Sequence, residues 1–234
     1  CLNKGCIPSK ALLEKVHQLS LSNQKIDWPE VQAIKNDVVN SIRSSMETRF
    51  VREKINLIKG TAAFHDEKSI DVNIEGKIEN IPFDFAIIAT GTEIYTPQVL
   101  APFKDQLLNS DTLLQIEKTP ESIIVVGGGA VGCEFACLLN AAGSKVSIVE
   151  MKETLLPGED AQVAGLLATS FEKRGIAVKT SNVIKGLQRL GSKWVVELSS
   201  GEKLEAEHIL SCVGRIPVYD ALHLDKAGVT LKDK

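Results

Sequence analysis

No apolar run in this sequence approaches the roughly 20 residues that cross a bilayer. The most hydrophobic stretch, "SIIVVGGGAVG" (122–132), is short and broken by glycine. A membrane span is therefore not expected. No basic block or stripe interrupts the mixture of 27 Lys+Arg and 30 Asp+Glu, and the net charge is −3. That balance argues against a nucleic acid partner, whose phosphates call for clustered cations. Five cysteines in 234 residues are too sparse for the disulfide framework of a small secreted domain, so each needs its own account. No second cluster of cysteine or histidine completes a metal site. The chain does not open on methionine, and the expectation is that its true N-terminus and any targeting signal precede Cys1. What remains, 44% hydrophobic and 24% charged residues, is the composition of a globular protein of one or two domains.

Periodicity supplies the elements. Leu12, Leu13, Val16 and Leu19 recur at helical spacing behind Pro8, which predicts an amphipathic helix. Asp27, Pro29 and Glu30 form a capping pattern ahead of Val31, Ile34, Val38, Ile42 and Met46, which predicts a second helix ending near Phe50. From Ile55 short apolar runs predict strands, the last being "FAIIATGT" (85–92). Thr119 and Pro120 mark a linker. "SIIVVGGGAVGCEFACLLNAAGSKVSIVE" (122–150) then reads as strand, glycine-rich turn, helix, glycine stop and strand. A helix over about 159–174 and strands over 176–179, 194–198 and 208–213 follow. The stretch 58–92 is loosely echoed by 184–215, which predicts two copies of one domain plan.

The run Gly127, Gly128, Gly129, Ala130, Val131, Gly132 matches G-x-G-x-x-G after a strand and before a helix, with Glu150 eighteen residues further on. This is the context of dinucleotide binding: Gly127 for the turn, Gly129 for backbone approach to a pyrophosphate, Gly132 for helix-to-strand packing. Glu150, at the end of the next strand, would accept hydrogen bonds from a ribose and repel a 2′-phosphate, favouring NAD over NADP, with Lys152 close by as a counterweight. Glu134 reads as a first-turn carboxylate complementing the helix dipole, or as a group facing the nicotinamide end of the cofactor.

The opening "CLNKGCIPSK" places Cys1 and Cys6 five apart, about 7.5 Å along and roughly 140° around a straight helix, beyond the reach of a disulfide. They can pair only across an irregular turn, for which Asn3 and Gly5 are suitable residues. A helix N-terminus beyond Cys6 and Lys10 four residues on would favour a reactive thiolate. Taken alone, two unrelated buried thiols fit as well. Cys133, Cys137 and Cys212 read as small core residues, and the four histidines as surface or satisfied core positions.

Taken together, "CLNKGCIPSKALL", "AIIATGT", "VVGGGAVGCEFA", "VSIVEM" and "SCVGRIP" resemble, in order and spacing, the flavin-dependent pyridine nucleotide:disulfide oxidoreductases, over essentially the whole chain. Ser9, Leu2, Ile7 and Glu150 are most similar to the dihydrolipoamide dehydrogenase branch. The resemblance implies an α/β fold of two related Rossmann-like dinucleotide-binding domains, the first incomplete. The implied boundaries are a partial FAD-binding domain with the redox helix over 1–118, an NAD-binding domain over 119–216, and the start of a return to the FAD domain over 217–234. It further implies that Cys1 exchanges with a dithiol substrate and Cys6 faces the flavin, while Lys10 pairs with Glu134 near flavin N5. Gly60 and Ala62, with Ala89, Thr90 and Gly91, would contact FAD; Val183 and Gly214 would contact NAD. Implied partners are dihydrolipoamide on lipoyl domains of 2-oxoacid dehydrogenase complexes and a second subunit in a homodimer, in a bacterial cytoplasm or mitochondrial matrix. Mercuric or glutathione-type reductases of the same family, and a stand-alone NAD-binding module, are the alternatives. The first glycine-rich turn for FAD and the C-terminal interface domain are not in the sequence, so the chain as it stands is expected to bind FAD poorly and not to turn over lipoamide.

Overall fold

The computed structural model describes residues 1–22 and 24–232; the last two residues of the expected 217–234 segment lie outside these. In chain order the elements begin with α1 (Cys6–Leu21), α2 (Trp28–Arg52), β1 (Thr61–Phe64), β2 (Ser69–Ile74), β3 (Lys77–Pro82) and β4 (Thr92–Ile94). There follow β5 (Leu108–Asn109), α3 (Ser110–Leu113), β6 (Ser122–Val126), α4 (Ala130–Ala141), β7 (Lys145–Val149), α5 (Ala161–Lys173) and β8 (Ala177–Lys179). The chain continues with β9 (Ile184–Leu190), β10 (Lys193–Leu198), β11 (Lys203–Ala206), β12 (His208–Ser211) and β13 (Arg215–Pro217). Two compact units result: Cys1–Met46 with Thr96–Gly214, and Glu47–Tyr95 with the residues from Arg215 onward.

In the first unit five parallel strands lie in the order β5-β12-β6-β7-β8. Both faces are covered, and the period-2 alternation of strand side chains sorts them cleanly. Ile123, Val125, Val146, Ile148 and Leu210 point to a helical layer containing Leu12, Val16, Val31, Phe135, Leu138 and Phe171. Their neighbours Ile124, Val126, Val149 and Ile209 pack instead with Trp194, Val196 and Leu198 of an antiparallel meander ordered β11-β10-β9. Crossovers through α4 and α5 carry the chain from β6 to β7 to β8, while β12 joins the other side of β6. The strand order therefore switches direction at β6, the place where open α/β sheets hold ligands beyond their carboxyl ends.

The second unit contains a meander of its own, β1-β2-β3, and the antiparallel pair β4 with β13. Its β2–β3 turn has positive φ at Glu75 (51°) and Gly76 (90°), the backbone of the tight hairpin turns whose twist matches the strands. The Gly76 amide donates to Asn73 Oδ1 at 2.8 Å. Sequence echo and structure agree here: each of the two similar stretches folds into a three-stranded meander.

Two expectations need correction. The run 85–91 is not a strand, and Phe85 and Ile87 are each 94% exposed. An apolar parallel strand is stable only between partner strands, and among the described residues none pairs with this segment, whereas its counterpart β12 lies between β5 and β6. On α2 the buried face runs through Trp28, Val31, Lys35 and Val39, while Val38 and Met46 are exposed. Lys35 belongs to the buried face because its ammonium donates to the Leu114 carbonyl at 2.8 Å and to Gln32 Oε1 at 2.6 Å. Burial lowers its pKa, and Trp28 Nε1 caps the neighbouring Ile116 carbonyl at 2.8 Å.

Candidate active site

Cys6 is the first residue of α1, and residues 1–5 form an irregular turn before it. The Ile7 amide donates to the Cys1 carbonyl at 3.2 Å and the Ser9 amide to that of Gly5 at 3.1 Å, so the chain folds back over the start of its own helix. Glycine is required at position 5, where a Cβ would lie 2.9 Å from Cys1 Cα. The consequence is a short circuit of helix geometry: Cys1 Sγ and Cys6 Sγ stand 2.6 Å apart. Both are exposed thiols, and a pair placed so closely can exchange two electrons with an incoming dithiol or disulfide.

One turn along α1, Lys10 Nζ lies 2.5 Å from Glu134 Oε1 of α4, a contact between residues 124 apart in sequence. Glu134 is the fifth residue of α4, past the first turn assigned to it from the sequence. A dipole role fades beyond that turn; the carboxylate instead has a definite cationic partner. The two helices are held together beneath this pair by Leu12 and Val16 against the α4 residues Phe135 and Leu138 in the common core.

The glycine-rich turn leaves the end of β6. Gly127 has φ +104° and a Cβ there would lie 2.4 Å from the Cys212 carbonyl oxygen; at Gly132 it would lie 2.0 Å from that of Gly127. A Cβ on Gly128 would press on the side chains of Leu155, at 2.6 Å, and Glu150, at 3.0 Å, whereas one on Gly129 would meet nothing within 4 Å. The open side of the turn is therefore at Gly129, the residue that caps the N-terminus of α4. Free helix amides beside an uncovered backbone suit a pyrophosphate, so the residues present fit a dinucleotide.

Glu150 is not solvated. It is 6% exposed, its Oε2 accepts from the Gly128 amide at 2.6 Å and its Oε1 from the Lys152 amide at 2.8 Å. Sequence reasoning missed this bracing of the turn, since the bond spans 22 residues. Each carboxylate oxygen retains a further lone pair, which leaves acceptor capacity for a ribose hydroxyl. In the same unit, Val183 is 39% exposed, with its amide held by Ser199 Oγ at 3.1 Å, and Gly214 has φ +117°. Gly60, Ala62, Ala89, Thr90 and Gly91 belong to the second unit. There Gly60 abuts the Asn73 carbonyl, Thr90 Oγ1 donates to the Val218 carbonyl at 2.5 Å, and Gly91 has φ +82°.

The remaining thiols contrast with the exposed pair. Burial pushes Cys133 up to about 11, reinforced by Cys137, Glu150 and Glu134, and pushes Cys212 up to about 12, reinforced by Cys133. Burial also raises Cys137. At pH 8 the thiolate fraction at Cys133 is roughly a hundredfold below that of an ordinary thiol. Timed iodoacetamide labelling of the reduced protein, read by peptide mass spectrometry, should therefore modify Cys1 and Cys6 first, with Cys133 on the order of a hundredfold slower and Cys212 slower again by about tenfold. Equal rates at all positions contradict the placement. Among the described residues no group of three or more His, Cys, Asp or Glu is arranged to hold a metal, and no helix is long and apolar enough to cross a membrane.

A parallel sheet with a glycine-rich turn at its switch point, and a dithiol formed where an irregular turn enters an adjoining helix, defines an oxidoreductase of the dinucleotide-binding α/β class. Residues 1–234 match the family described as "Pyridine nucleotide-disulphide oxidoreductase", and the chain belongs to it. Its relatives include a dihydrolipoyl dehydrogenase of Bacillus subtilis (strain 168), 32% identical over 250 residues, covering 100% of this chain and 54% of that protein. A soluble pyridine nucleotide transhydrogenase of Pseudomonas fluorescens (strain SBW25) is 28% identical over 246 residues, covering 100% and 53%. Among solved structures, the HOCl-induced flavoprotein disulfide reductase RclA from Escherichia coli superposes with a TM-score of 0.86 at 27% identity, covering 100% of this chain and 52% of that one. The chain thus spans about half the length of the relatives it matches. Membership makes it part of a flavin-dependent oxidoreductase family that works with FAD and a pyridine nucleotide.

Proposed function

We propose that the chain provides the dithiol centre and the pyridine nucleotide site of a dihydrolipoamide dehydrogenase using NAD⁺. The observation that carries the reading is the contact of Lys10 with Glu134, which ties the helix bearing Cys6 to the helix that opens the nucleotide site. In the proposed reaction the substrate dithiol attacks a Cys1–Cys6 disulfide through Cys1. Lipoamide leaves oxidised, and both protein sulfurs end reduced. Bound FAD would supply a two-electron relay from the reduced pair to NAD⁺, and Cys1 and Cys6 would return to the disulfide. Cys6 would face the flavin, and the Lys10–Glu134 pair would hold charge beside it. Gly129 would admit the pyrophosphate, and Glu150, Val183 and Gly214 would line the rest of the NAD site. Gly60, Ala62, Ala89, Thr90 and Gly91 would serve FAD, in domains divided as 1–118, 119–216 and 217–234. Lipoyl domains of 2-oxoacid dehydrogenase complexes are the proposed substrate carriers, a homodimer the proposed assembly and the bacterial cytoplasm the proposed compartment.

The 32% identity to a dihydrolipoyl dehydrogenase and the carboxylate at position 150 support this choice of substrate and cofactor. A buried carboxylate opposite a 2′-phosphate costs several kcal/mol, so NAD⁺ should be preferred over NADP⁺ on the order of a hundredfold. The test, made in the full-length protein that carries these residues, is reduction of each nucleotide by dihydrolipoamide, beside NADPH-dependent reduction of glutathione disulfide and of Hg²⁺. Activity confined to either of the last two substrates overturns the assignment.

A further inference from the structure

We infer that Arg43 is a positioning residue for the Cys1 and Cys6 thiols, acting through Asn3 on the turn between them; the inference rests on reading that pair as the redox centre. Residues 1–5 precede α1, so the ladder of helix hydrogen bonds that fixes Cys6 does not by itself fix Cys1. The backbone tie of the Cys1 carbonyl to Ile7 still leaves residues 2–4 to be held from outside. Asn3 Oδ1 accepts a hydrogen bond from Arg43 Nη2 at 2.7 Å, and Lys4 Nζ reaches to 3.9 Å from Asp111 Oδ2 of α3 on the neighbouring position.

Arg43 is well placed to hold a turn. It stands on a 25-residue helix that Trp28, Val31 and Val39 anchor in the core. Its second guanidinium nitrogen is steadied by Asn40 Oδ1 at 3.4 Å, one turn earlier. A planar guanidinium bonded at two points transmits the position of its helix to whatever it grips. Here it grips the side chain midway between the cysteines.

The consequence is for the equilibrium of the pair. With glutathione disulfide as oxidant, an S–S bond forms between Cys1 Sγ and Cys6 Sγ while that of glutathione breaks, and two electrons and two protons pass to give two glutathione thiols. The equilibrium constant measures the effective concentration of one protein thiol at the other. A turn released from Arg43 spends less time with the sulfurs together, so the constant falls.

The experiment equilibrates the protein in glutathione buffers of graded ratio, then quantifies the Cys1–Cys6 disulfide by acid quench, alkylation and peptide mass spectrometry. Wild type, Arg43→Met, Arg43→Lys, Asn3→Ala and the Asn3→Ala/Arg43→Met double variant are compared, with thermal melts of each. Arg43→Met should lower the constant about fivefold, the scale of one charge-assisted hydrogen bond at the surface. Asn3→Ala should do the same, the double variant should fall no further, and Arg43→Lys should recover part of the loss. An unchanged constant in Arg43→Met, a drop in melting temperature without a shift in the constant, or full additivity of the two substitutions overturns the positioning role alone. A wild-type protein that forms no Cys1–Cys6 disulfide in any buffer removes the redox reading, and this inference with it.

Discussion

Alanine at Gly132 should destabilise the protein by about 3 kcal/mol and abolish pyridine nucleotide binding, while alanine at Gly129, three residues away, should abolish binding with little loss of stability. The two positions belong to one motif but carry different loads. A Cβ at Gly132 would lie 2.0 Å from the Gly127 carbonyl oxygen and 3.4 Å from Val125 Cγ1. Neither can yield easily. Gly127 is pinned through its amide to the Val149 carbonyl at 2.8 Å, and Val125 is wholly buried. Helix α4 would have to lift from β6, carrying Phe135 and Leu138 out of the core. At Gly129 the backbone angles, φ −72° and ψ −178°, are open to any residue, and a Cβ meets nothing within 4 Å. Losing a glycine cap to alanine there costs less than about 1 kcal/mol, yet the methyl projects into the space a pyrophosphate would use. Urea unfolding and nucleotide titration of both variants separate the effects. A Gly129→Ala protein that binds NADH as wild type does would show that the turn is not the cradle.

Glu150→Ala should cost about 2–4 kcal/mol, because it strips the amides of Gly128 and Lys152 of their carboxylate acceptor and leaves a void beside them. Glu150→Gln is the sharper test. The amide has the volume of the carboxylate but offers one acceptor oxygen, so in either orientation its NH₂ group faces a backbone N–H. A loss of about 1–3 kcal/mol is expected from a change that would be nearly silent on the surface. Lys152→Ala should be neutral within about 0.5 kcal/mol, since only the backbone of residue 152 takes part. Chemical denaturation checks the ranking, and amide exchange at Gly128 and Lys152 checks the cause. The same experiment divides the two roles of Glu150. If it only braces the turn, its variants lose NAD and NADP affinity in proportion; if it also reads the ribose, NAD suffers more.

Some of this architecture was legible because the information is local. A glycine that must take φ +104°, a helix that begins three residues later and a strand that is β-branched from Ile123 to Val126 impose their geometry on immediate neighbours, so the βαβ unit over 122–149 is written in the order of its residues. The amphipathic face of α1 was legible for the same reason. That of α2 was not, because a lysine at the centre of the buried stripe looks polar until the Leu114 carbonyl that receives it is known. The run 85–91 failed in the opposite direction: its apolar residues read as a buried strand, and burial depends on neighbours that a sequence pattern does not supply.

The redox turn shows the same division within ten residues. Spacing alone established that Cys1 and Cys6 cannot meet on a straight helix and that Asn3 and Gly5 would permit an irregular turn. The amino-acid sequence by itself thus determined the α/β class, the glycine-rich turn, the helix behind the cysteines and, through its motifs, the family. Tertiary structure alone decided that the two sulfurs stand side by side, that Glu150 lies beneath the turn instead of in solvent, and that Arg43 reaches Asn3. These contacts join residues that are far apart in the chain or separated by an irregular segment. Their partners are chosen by how helices and strands pack, and neighbouring residues carry no record of that choice.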